Sequence, residues 1–320
     1  MQKQAQPLDQ AAELSRSGGL QMSQKRAGLA ELLDSDKEIG LVIQGGGMRG
    51  VYSLSVLREL TRLGYKDRFA RIWATSSGAI NAAYFLAGQA DDQGISAYTE
   101  NLASKEFIDP LRLKRIIDID YLVDRVLAEE VILDQQALKA SASELNIALL
   151  EAETARLDWL DPRSQSWPLL ETFRAAAALP IVYGKEICLG STKYVDGALG
   201  DCLPVGPAVS AGVENLLVIT TRARDYRAEI PSKYERSLYR SLARARGHSP
   251  GVIKSLGLHD RIFDRAMTDI RNGFSSLGAT KIWSISPGDR IAGRLTRDRA
   301  TLIKTVELGT RDTRVALLDK

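Results

Sequence analysis

A serine with small neighbours on both sides is the first candidate for chemistry in this 320-residue sequence. Ser76 lies in the run Ala74-Thr75-Ser76-Ser77-Gly78, between a predicted strand and a predicted helix. A sharp strand-to-helix turn pushes one hydroxyl out above the sheet, as in the G-x-S-x-G nucleophile elbow. Ala74 stands where that pattern has its first glycine. The spacing favours Ser76 as a nucleophile, and the structural alternative is a helix cap formed by Ser76 or Ser77.

Glycines cluster one strand and one helix before this serine, in the run Gly45-Gly46-Gly47-Met48-Arg49-Gly50. Glycine lets the backbone turn tightly and aim successive N–H groups at one point, and the next helix adds the positive end of its dipole. The loop is therefore predicted to hold an anion, either a phosphate or a developing oxyanion. Acyl transfer needs both a hydroxyl that attacks and N–H donors for the oxyanion.

The same glycines also match the G-x-G-x-x-G pattern of dinucleotide-binding proteins. A dinucleotide site would need an acidic residue at the end of the next strand, where it would bind the ribose. Here that strand ends at Ala74-Thr75-Ser76, and Asp67 precedes the strand. A nucleotide-binding protein is therefore the less favoured alternative.

A carboxylate followed by glycine supplies the third motif, Asp196-Gly197-Ala198, after the short predicted strand Lys193–Val195. Such an aspartate can project into a cleft, although Asp-Gly is also typical of a plain β-turn. Two histidines, His248 and His259, follow it in the chain. The order Ser, Asp, His is that of the α/β-hydrolases, so a Ser-His-Asp triad on the same serine is a second alternative.

Together the three motifs resemble the patatin-like phospholipase family, which carries a G-G-G-x-R/K-G loop, a G-x-S-x-G elbow and a D-G-G/A aspartate. The resemblance covers residues 39–207. Two departures are Ala74, in place of glycine, and Gln44, where many members have an acid. Carried over position by position, the resemblance implies Ser76 as nucleophile and Asp196 as its base. It places the oxyanion loop at Gly45, Gly46, Gly47 and Arg49.

The activity that this resemblance implies is hydrolysis of fatty-acyl esters, by a phospholipase A-like enzyme or esterase. Asp196 would accept the Ser76 proton, and Ser76 would attack the ester carbonyl to form an acyl-enzyme. Water activated by the same carboxylate would release the fatty acid. The implied partner is a lipid or phospholipid substrate, and the mechanism calls for no cofactor and no metal.

Alternating strands and helices are predicted around these motifs. The apolar run Ile39–Ile43 is typical of a strand buried on both faces, and a helix over 51–63, a strand over 70–75 and a helix over 77–87 follow. This alternation predicts a parallel sheet with right-handed crossovers. The family resemblance sharpens it to a three-layer α/β fold, with a mostly parallel central sheet flanked by helices and a mainly helical C-terminal part.

Composition and charge narrow the class of protein further. Hydrophobic residues make up 44% and charged residues 26%, as in globular proteins. The 43 basic and 40 acidic residues give a net charge of +3, too even to indicate a nucleic-acid partner. The sequence shows no apolar run of about 18 residues and no secretory signal, and it has too few cysteines for a disulfide framework. We expect a cytoplasmic protein with a polar N-terminal arm, 1–37, and one domain, 38–320.

Basic residues and tyrosines are interleaved from Arg222 to Arg246. A surface of this composition suits anionic lipid headgroups, so peripheral contact with a membrane is one interpretation of this stretch. The favoured interpretation is an ordinary solvated helix and loop.

Overall fold

The structure, a computed structural model, describes residues 28–112, 115–228, 231–256 and 260–318. Across these residues eight strands form one mixed sheet. In chain order, strands β1 to β8 are Ile39–Ile43, Phe69–Ala74, Glu144–Glu151, Leu157–Leu160, Ile187–Leu189, Thr192–Asp196, Asn215–Ile219 and Lys281–Ile285. Their order in the sheet is β5-β6-β3-β2-β1-β7-β8, with β4 paired to β3.

The sheet brings the three sequence motifs to one place. Strands β1, β2, β3, β7 and β8 run parallel to their neighbours in this group, so the ends of β1 and β2 meet at one edge. Strand β6 runs antiparallel to β3. Ile147 of β3 pairs with Ala74, and Leu149, two residues further on, pairs with Asp196. The antiparallel return of β6 therefore delivers Asp196 to the turn that follows β2.

Helices cover both faces of the sheet. In chain order, the α-helices α1 to α11 of the described residues are Leu29–Leu33, Gly50–Arg62, Ser77–Leu86, Asp92–Ser96, Gln135–Ala140, Leu169–Ala177, Val205–Ser210, Lys233–Ala245, Pro250–Ser255, Asp260–Asn272 and Arg299–Leu318. Two π-helical segments, Ala97–Asn101 and Tyr121–Glu130, lie between α4 and α5.

Alternation along the central strands separates two apolar cores. Leu41 and Ile43 of β1 pack on the larger core, which contains residues of α2, α3, α6 and α11. Val42, between them, faces a second core with residues of α7 and α10. Successive strand residues point to opposite faces, so one strand serves both cores. The predicted three-layer α/β class, with a central sheet flanked by helices, is confirmed.

The elements that carry the motifs lie close to their predicted positions. Helix α2 begins at Gly50 rather than residue 51. The sequence pattern predicts the C-terminal helix from about Arg294, but it begins at Arg299. Arg294 lies instead in the loop before this helix, because its carbonyl oxygen accepts a hydrogen bond from Met48 N–H of the glycine run at 3.1 Å. Within the predicted N-terminal arm, the leucines of α1 are buried in the larger core. Residues 1–27 of that arm lie outside the described residues.

Candidate active site

The turn between β2 and α3 holds Ser76 in a strained backbone conformation. Its φ is 53° and ψ is −134°, outside the regions that residues with a side chain normally occupy. Tight packing maintains the turn, since a Cβ atom at Gly78 would lie 2.6 Å from the Ile43 carbonyl oxygen. Strain of this kind costs about 1–3 kcal/mol and concentrates at functional sites. Ser76, which is buried, is therefore held by the fold rather than by local preference.

The glycine run packs directly against this turn. A Cβ at Gly45 would lie 2.4 Å from the Thr75 carbonyl oxygen and 2.6 Å from the Ser76 Cβ. Gly47 has a φ of 58°, and a Cβ there would lie 2.7 Å from the Arg294 carbonyl oxygen. Any larger residue at these positions would push the loop away from the serine, so the glycines are explained by close approach.

The N–H groups of the loop differ in their availability. Gly45 N–H faces the Thr75 hydroxyl at 3.4 Å, and Gly46 N–H donates to Ser77 Oγ at 3.0 Å. The N–H groups of Gly47 and Ser77 make no hydrogen bond with any described residue. Among the described N–H groups of the glycine run and of the start of α3, these two are free to bind a developing negative charge.

Asp196 is fully buried at the end of β6, next to this turn. Its Oδ1 accepts a hydrogen bond from Ala198 N–H at 2.9 Å. Its Oδ2 is buried without a hydrogen-bond partner among the described residues. The next residue has to be glycine, because a Cβ at Gly197 would lie 2.4 Å from the Ala148 carbonyl oxygen. One carboxylate oxygen is thus fixed by the backbone and the other is left open.

Burial raises the pKa of Asp196 from 3.8 to about 7. The Ala198 N–H, the Ser76 side chain and the charge of Arg294 act in the opposite direction and lower the pKa. The Ser76 side chain is therefore close enough to Asp196 to stabilise its charged form, although it makes no well-aligned hydrogen bond to Oδ2. A carboxyl group with a pKa near neutrality suits a general base, because it is ionised when needed and still accepts a proton readily.

An open cleft of about 170 Å³ gives access to both residues. Ser76, Asp196 and the glycine run border it, with polar groups such as Arg49, Arg222 and Arg294. The four predicted loop residues and the two predicted catalytic residues thus lie around one cleft. Among the described residues, no group of three or more histidine, cysteine or acidic side chains is arranged to hold a metal ion.

A second, narrower pocket of about 50 Å³ adjoins the cleft. Gly47, Ser76, Leu179 and Arg294 line both spaces. The rest of this second lining is mainly apolar and includes Met48, Ile80, Leu102, Phe107, Ile119 and Leu122. Ser76 therefore lies where a polar space and an apolar space meet.

His248 makes its contacts away from the cleft. Its Nδ1 lies 3.3 Å from Glu186 Oε1, and its Nε2 lies 3.1 Å from the Pro180 carbonyl oxygen. Both ring nitrogens therefore have partners other than Ser76 and Asp196. His259 lies outside the described residues.

The two departures from the family pattern fit the local geometry. Ala74 is the last residue of β2 and has no left-handed φ, so the turn does not require glycine at this position. Gln44 joins the ends of β1 and β7, because its Oε1 accepts a hydrogen bond from Thr221 N–H at 2.7 Å. Asp67, the acidic residue considered above as a ligand for the ribose of a dinucleotide, lies before β2 and forms an ion pair with Lys66 at 3.0 Å.

Two residues that line the cleft were not predicted from the sequence to belong to the site. Arg222 follows β7 and appeared only as part of a basic stretch, and Arg294 lies in a loop without any motif. Their approach to Ser76 depends on where β7 and β8 sit in the sheet. The basic stretch predicts Arg222 to be a charge on the surface, and the local sequence around Arg294 contains no motif that would predict a role for it.

The fold and the cleft place the chain among three-layer α/β proteins with a serine at the end of a central parallel strand. It belongs to the patatin-like phospholipase family, whose sequence pattern matches residues 41–209, just over half of the chain. The resemblance read from the three motifs is confirmed.

Similar proteins agree with this membership. The chain is 31% identical over 190 residues to the uncharacterized protein YjjU of Escherichia coli (strain K12), covering 57% of this chain and 52% of YjjU. It is 42% identical over 76 residues to an uncharacterized NTE family protein of Mycobacterium tuberculosis, covering 23% of this chain and 12% of that one. The chain thus spans about half, or less, of the curated relatives it matches.

Among solved structures, the fold is similar to the crystal structure of VipD from Legionella pneumophila. The TM-score is 0.54 at 12% identity, and the match covers 88% of this chain and 67% of VipD. At that identity the likeness concerns the fold alone.

Proposed function

We propose that this chain is a lipid acyl hydrolase, of the phospholipase A or esterase type, that acts through a dyad of Ser76 and Asp196. The observation that carries the proposal is the pair itself: a strained, buried serine beside a fully buried carboxylate whose Oδ2 has no hydrogen-bond partner among the described residues. Family membership, the apolar pocket beside Ser76 and the open cleft support a lipid ester as the substrate.

The reaction begins when Asp196 Oδ2 accepts the proton of the Ser76 hydroxyl. Ser76 Oγ bonds to the ester carbonyl carbon, and the carbonyl electron pair moves to its oxygen. The C–O bond to the alcohol then breaks, and the alcohol leaves with the proton held by Asp196, which leaves an acyl-enzyme. Water, giving its proton to the same carboxylate, attacks the acyl group and releases the fatty acid and the Ser76 hydroxyl.

The negative oxygen formed in each step needs donors that are free before substrate binds. The N–H groups of Gly47 and Ser77 meet this condition within the described residues, whereas Gly46 N–H is held by Ser77 Oγ. Losing one donor of this kind typically raises the barrier by about 2.7–4 kcal/mol. We assign the oxyanion contact to these two groups, with Gly45 and Gly46 holding the loop in place.

The proposal is tested by the wild-type chain with a fluorophosphonate probe and a fatty-acyl ester. We expect covalent labelling at Ser76, found by peptide mass spectrometry, and release of free fatty acid that labelling abolishes. Because the mechanism uses only oxygen and backbone groups, exhaustive chelation is expected to leave the rate unchanged. Labelling at another residue, or a rate that needs an added divalent ion, would count against the dyad.

Helix α8 offers a surface for the approach to a lipid interface. Tyr234, Leu238 and Leu242 are spaced by four residues, so they share one face, and all three are exposed. The helix also carries basic side chains and a single acidic one: Lys233, Arg236, Arg240, Arg244 and Glu235. An exposed apolar stripe flanked by positive charge is typical of helices that lie on anionic membranes. None of the described helices is long and apolar enough to cross a bilayer.

We expect the double variant Tyr234→Ser/Leu238→Ser to bind anionic vesicles at least tenfold more weakly than wild type. Each lost apolar contact removes about 1.5 kcal/mol or more of burial, and about 1.4 kcal/mol corresponds to tenfold. Co-sedimentation with phosphatidylglycerol vesicles measures the effect, and Leu318→Ser, which alters another exposed leucine, is the control. Equal binding by both variants would remove α8 from the membrane contact.

A further inference from the structure

Three arginines converge on the cleft beside Ser76 from separate parts of the chain. Arg49 lies in the glycine run, Arg222 follows β7, and Arg294 lies in the loop between β8 and α11. Arg49 is buried, Arg222 is half-buried and Arg294 is exposed, so they line the cleft from its interior to its mouth. Two of the three lie outside the part of the chain that matches the family.

None of these arginines forms an ion pair with a described residue, although most buried cations in proteins are paired. Among the described residues that line the cleft, Asp196 is the only acidic one, so the three arginines outnumber the acidic groups there. Arg49 Nε is buried without a hydrogen-bond partner among the described residues. Arg222 lies over the ring of Tyr226, with 4.3 Å from its guanidinium carbon to the ring centroid, and this contact orients the group. The cleft therefore has guanidinium donors ready for a ligand.

The arginines also repel one another. Burial, followed by the charges of Arg222 and Arg294, lowers the pKa of Arg49 from its ordinary value to about 9. A bound anion would relieve this repulsion and supply acceptors for the free donors. Guanidinium groups match phosphate oxygens in pairs of parallel hydrogen bonds, so a phosphate is the ligand that this cluster favours.

The position of the cluster defines where the phosphate must lie on the substrate. An ester carbonyl at Ser76 has the apolar pocket on one side and the arginine cluster on the other, since Ser76 lines both spaces whereas Arg49 and Arg222 line the cleft alone. In a glycerophospholipid the phosphate is joined to the glycerol carbon next to an acylated one. A single molecule can therefore fill the apolar pocket with its acyl chain and reach the arginines with its phosphate.

We propose that Arg222 and Arg294, with Arg49, form a phosphate-binding subsite that selects anionic glycerophospholipids over neutral acylglycerols. This assignment rests on the proposed hydrolase function, and it adds the headgroup class of the substrate. The excess of positive charge favours a headgroup with net negative charge over one in which a quaternary ammonium balances the phosphate. The expected order of substrates is phosphatidylglycerol, then phosphatidylcholine, then diacylglycerol.

Soluble substrates test this order without any effect of membrane binding. Dihexanoyl phosphatidylglycerol, dihexanoyl phosphatidylcholine and dihexanoylglycerol, used as monomers, differ only in the headgroup. We expect wild type to hydrolyse the first with a kcat/KM at least tenfold above that for the last. The double variant Arg222→Gln/Arg294→Gln is expected to reduce this ratio at least tenfold. Arg290→Gln removes the same charge from an exposed position in the Arg294 loop and is expected to keep the wild-type ratio.

An unchanged ratio in the double variant, or a wild-type preference for dihexanoylglycerol, would overturn the subsite. Binding to Ser76→Ala, measured by calorimetry, separates this failure from failure of the hydrolase proposal. If wild type hydrolyses none of the three esters, loss of dihexanoyl phosphatidylglycerol binding on adding Arg222→Gln/Arg294→Gln still upholds the phosphate contact. If inorganic phosphate binds as tightly as this lipid and the headgroup ratio is flat, the arginines hold free phosphate, and the assignment to the substrate is wrong.

Discussion

Replacing Ser76 with alanine is expected to lower kcat/KM for a fatty-acyl ester by about 10⁴-fold or more, the scale seen when the members of a catalytic unit are removed. The loss follows because the neighbouring hydroxyls of the turn, those of Thr75 and Ser77, face N–H groups of the glycine run, so neither replaces Ser76 as the nucleophile in the proposed mechanism. The variant is also expected to lose all labelling by fluorophosphonate. The fold should survive, since the turn is held by the packing of Gly78 and Gly45 rather than by the serine hydroxyl.

Ser77→Ala is the matched control for this prediction. It removes a hydroxyl from the adjacent position and keeps the backbone N–H that we assign to the oxyanion. Ser77 Oγ accepts the hydrogen bond of Gly46 N–H at 3.0 Å, so the glycine run is expected to be held less firmly. We expect a loss of about tenfold or less, measured by initial rates on a short-chain ester. If Ser77→Ala were inactive and Ser76→Ala active, the elbow would have been assigned one residue too early.

Much of the fold could be predicted because its signals are local. The buried strand Ile39–Ile43, the glycine run and the serine turn follow one another within forty or so residues, and each constrains its own backbone. Gly45, Gly78 and Gly197 illustrate why such motifs are informative. Each lies so close to other backbone atoms that a Cβ has no room, so the contact itself dictates the residue type.

The rest depends on contacts between distant parts of the chain. Strand β4 was not predicted, since Leu157–Leu160 is short and only half-buried and therefore lacks a clear apolar pattern. The approach of Arg222 and Arg294 to Arg49 required the sheet order β2-β1-β7-β8, which no local pattern encodes. The sequence also could not predict which N–H groups of the loop are free to bind an oxyanion. This depends on the hydrogen bond that Gly46 N–H donates to the Ser77 hydroxyl.

Asp196→Asn is expected to lower activity by several orders of magnitude, because asparagine cannot accept the Ser76 proton while it keeps the shape of the side chain. Wild-type activity is expected to fall as the pH drops below about 7, where the pKa of Asp196 lies.

His248→Ala separates this dyad from a Ser-His-Asp triad. Since His248 contacts Glu186 and the Pro180 carbonyl oxygen, we expect it to keep activity within a few fold. A loss of about 10⁴-fold in His248→Ala, or in His259→Ala, with an intact circular dichroism spectrum would replace the dyad by the triad.

The same Asp196→Asn variant is expected to be more stable than wild type, by an amount that grows with pH. The pKa of Asp196 is about 7 in the folded chain against an ordinary value of 3.8, so between these values the folded state keeps a proton that the unfolded state releases. The free energy of unfolding of wild type therefore falls as the pH rises from about 4 to about 7. Above about pH 7 the titration of Asp196 no longer changes it. The total is about 4 kcal/mol, because one pKa unit corresponds to about 1.36 kcal/mol.

Asparagine carries no charge at any of these pH values and retains an oxygen for the Ala198 N–H, so it avoids the burial of a carboxylate. Urea unfolding at pH 5 and at pH 8 measures the difference. The stability gain of Asp196→Asn at pH 8 is expected to exceed its gain at pH 5 by about 3 kcal/mol. Asp67→Asn, at an exposed surface pair, is expected to show no such growth, because surface pairs contribute about 0–1 kcal/mol. Equal gains at both pH values would mean that the Asp196 carboxylate is solvated and that its pKa is not raised toward neutrality, which would contradict its role as a base near neutral pH.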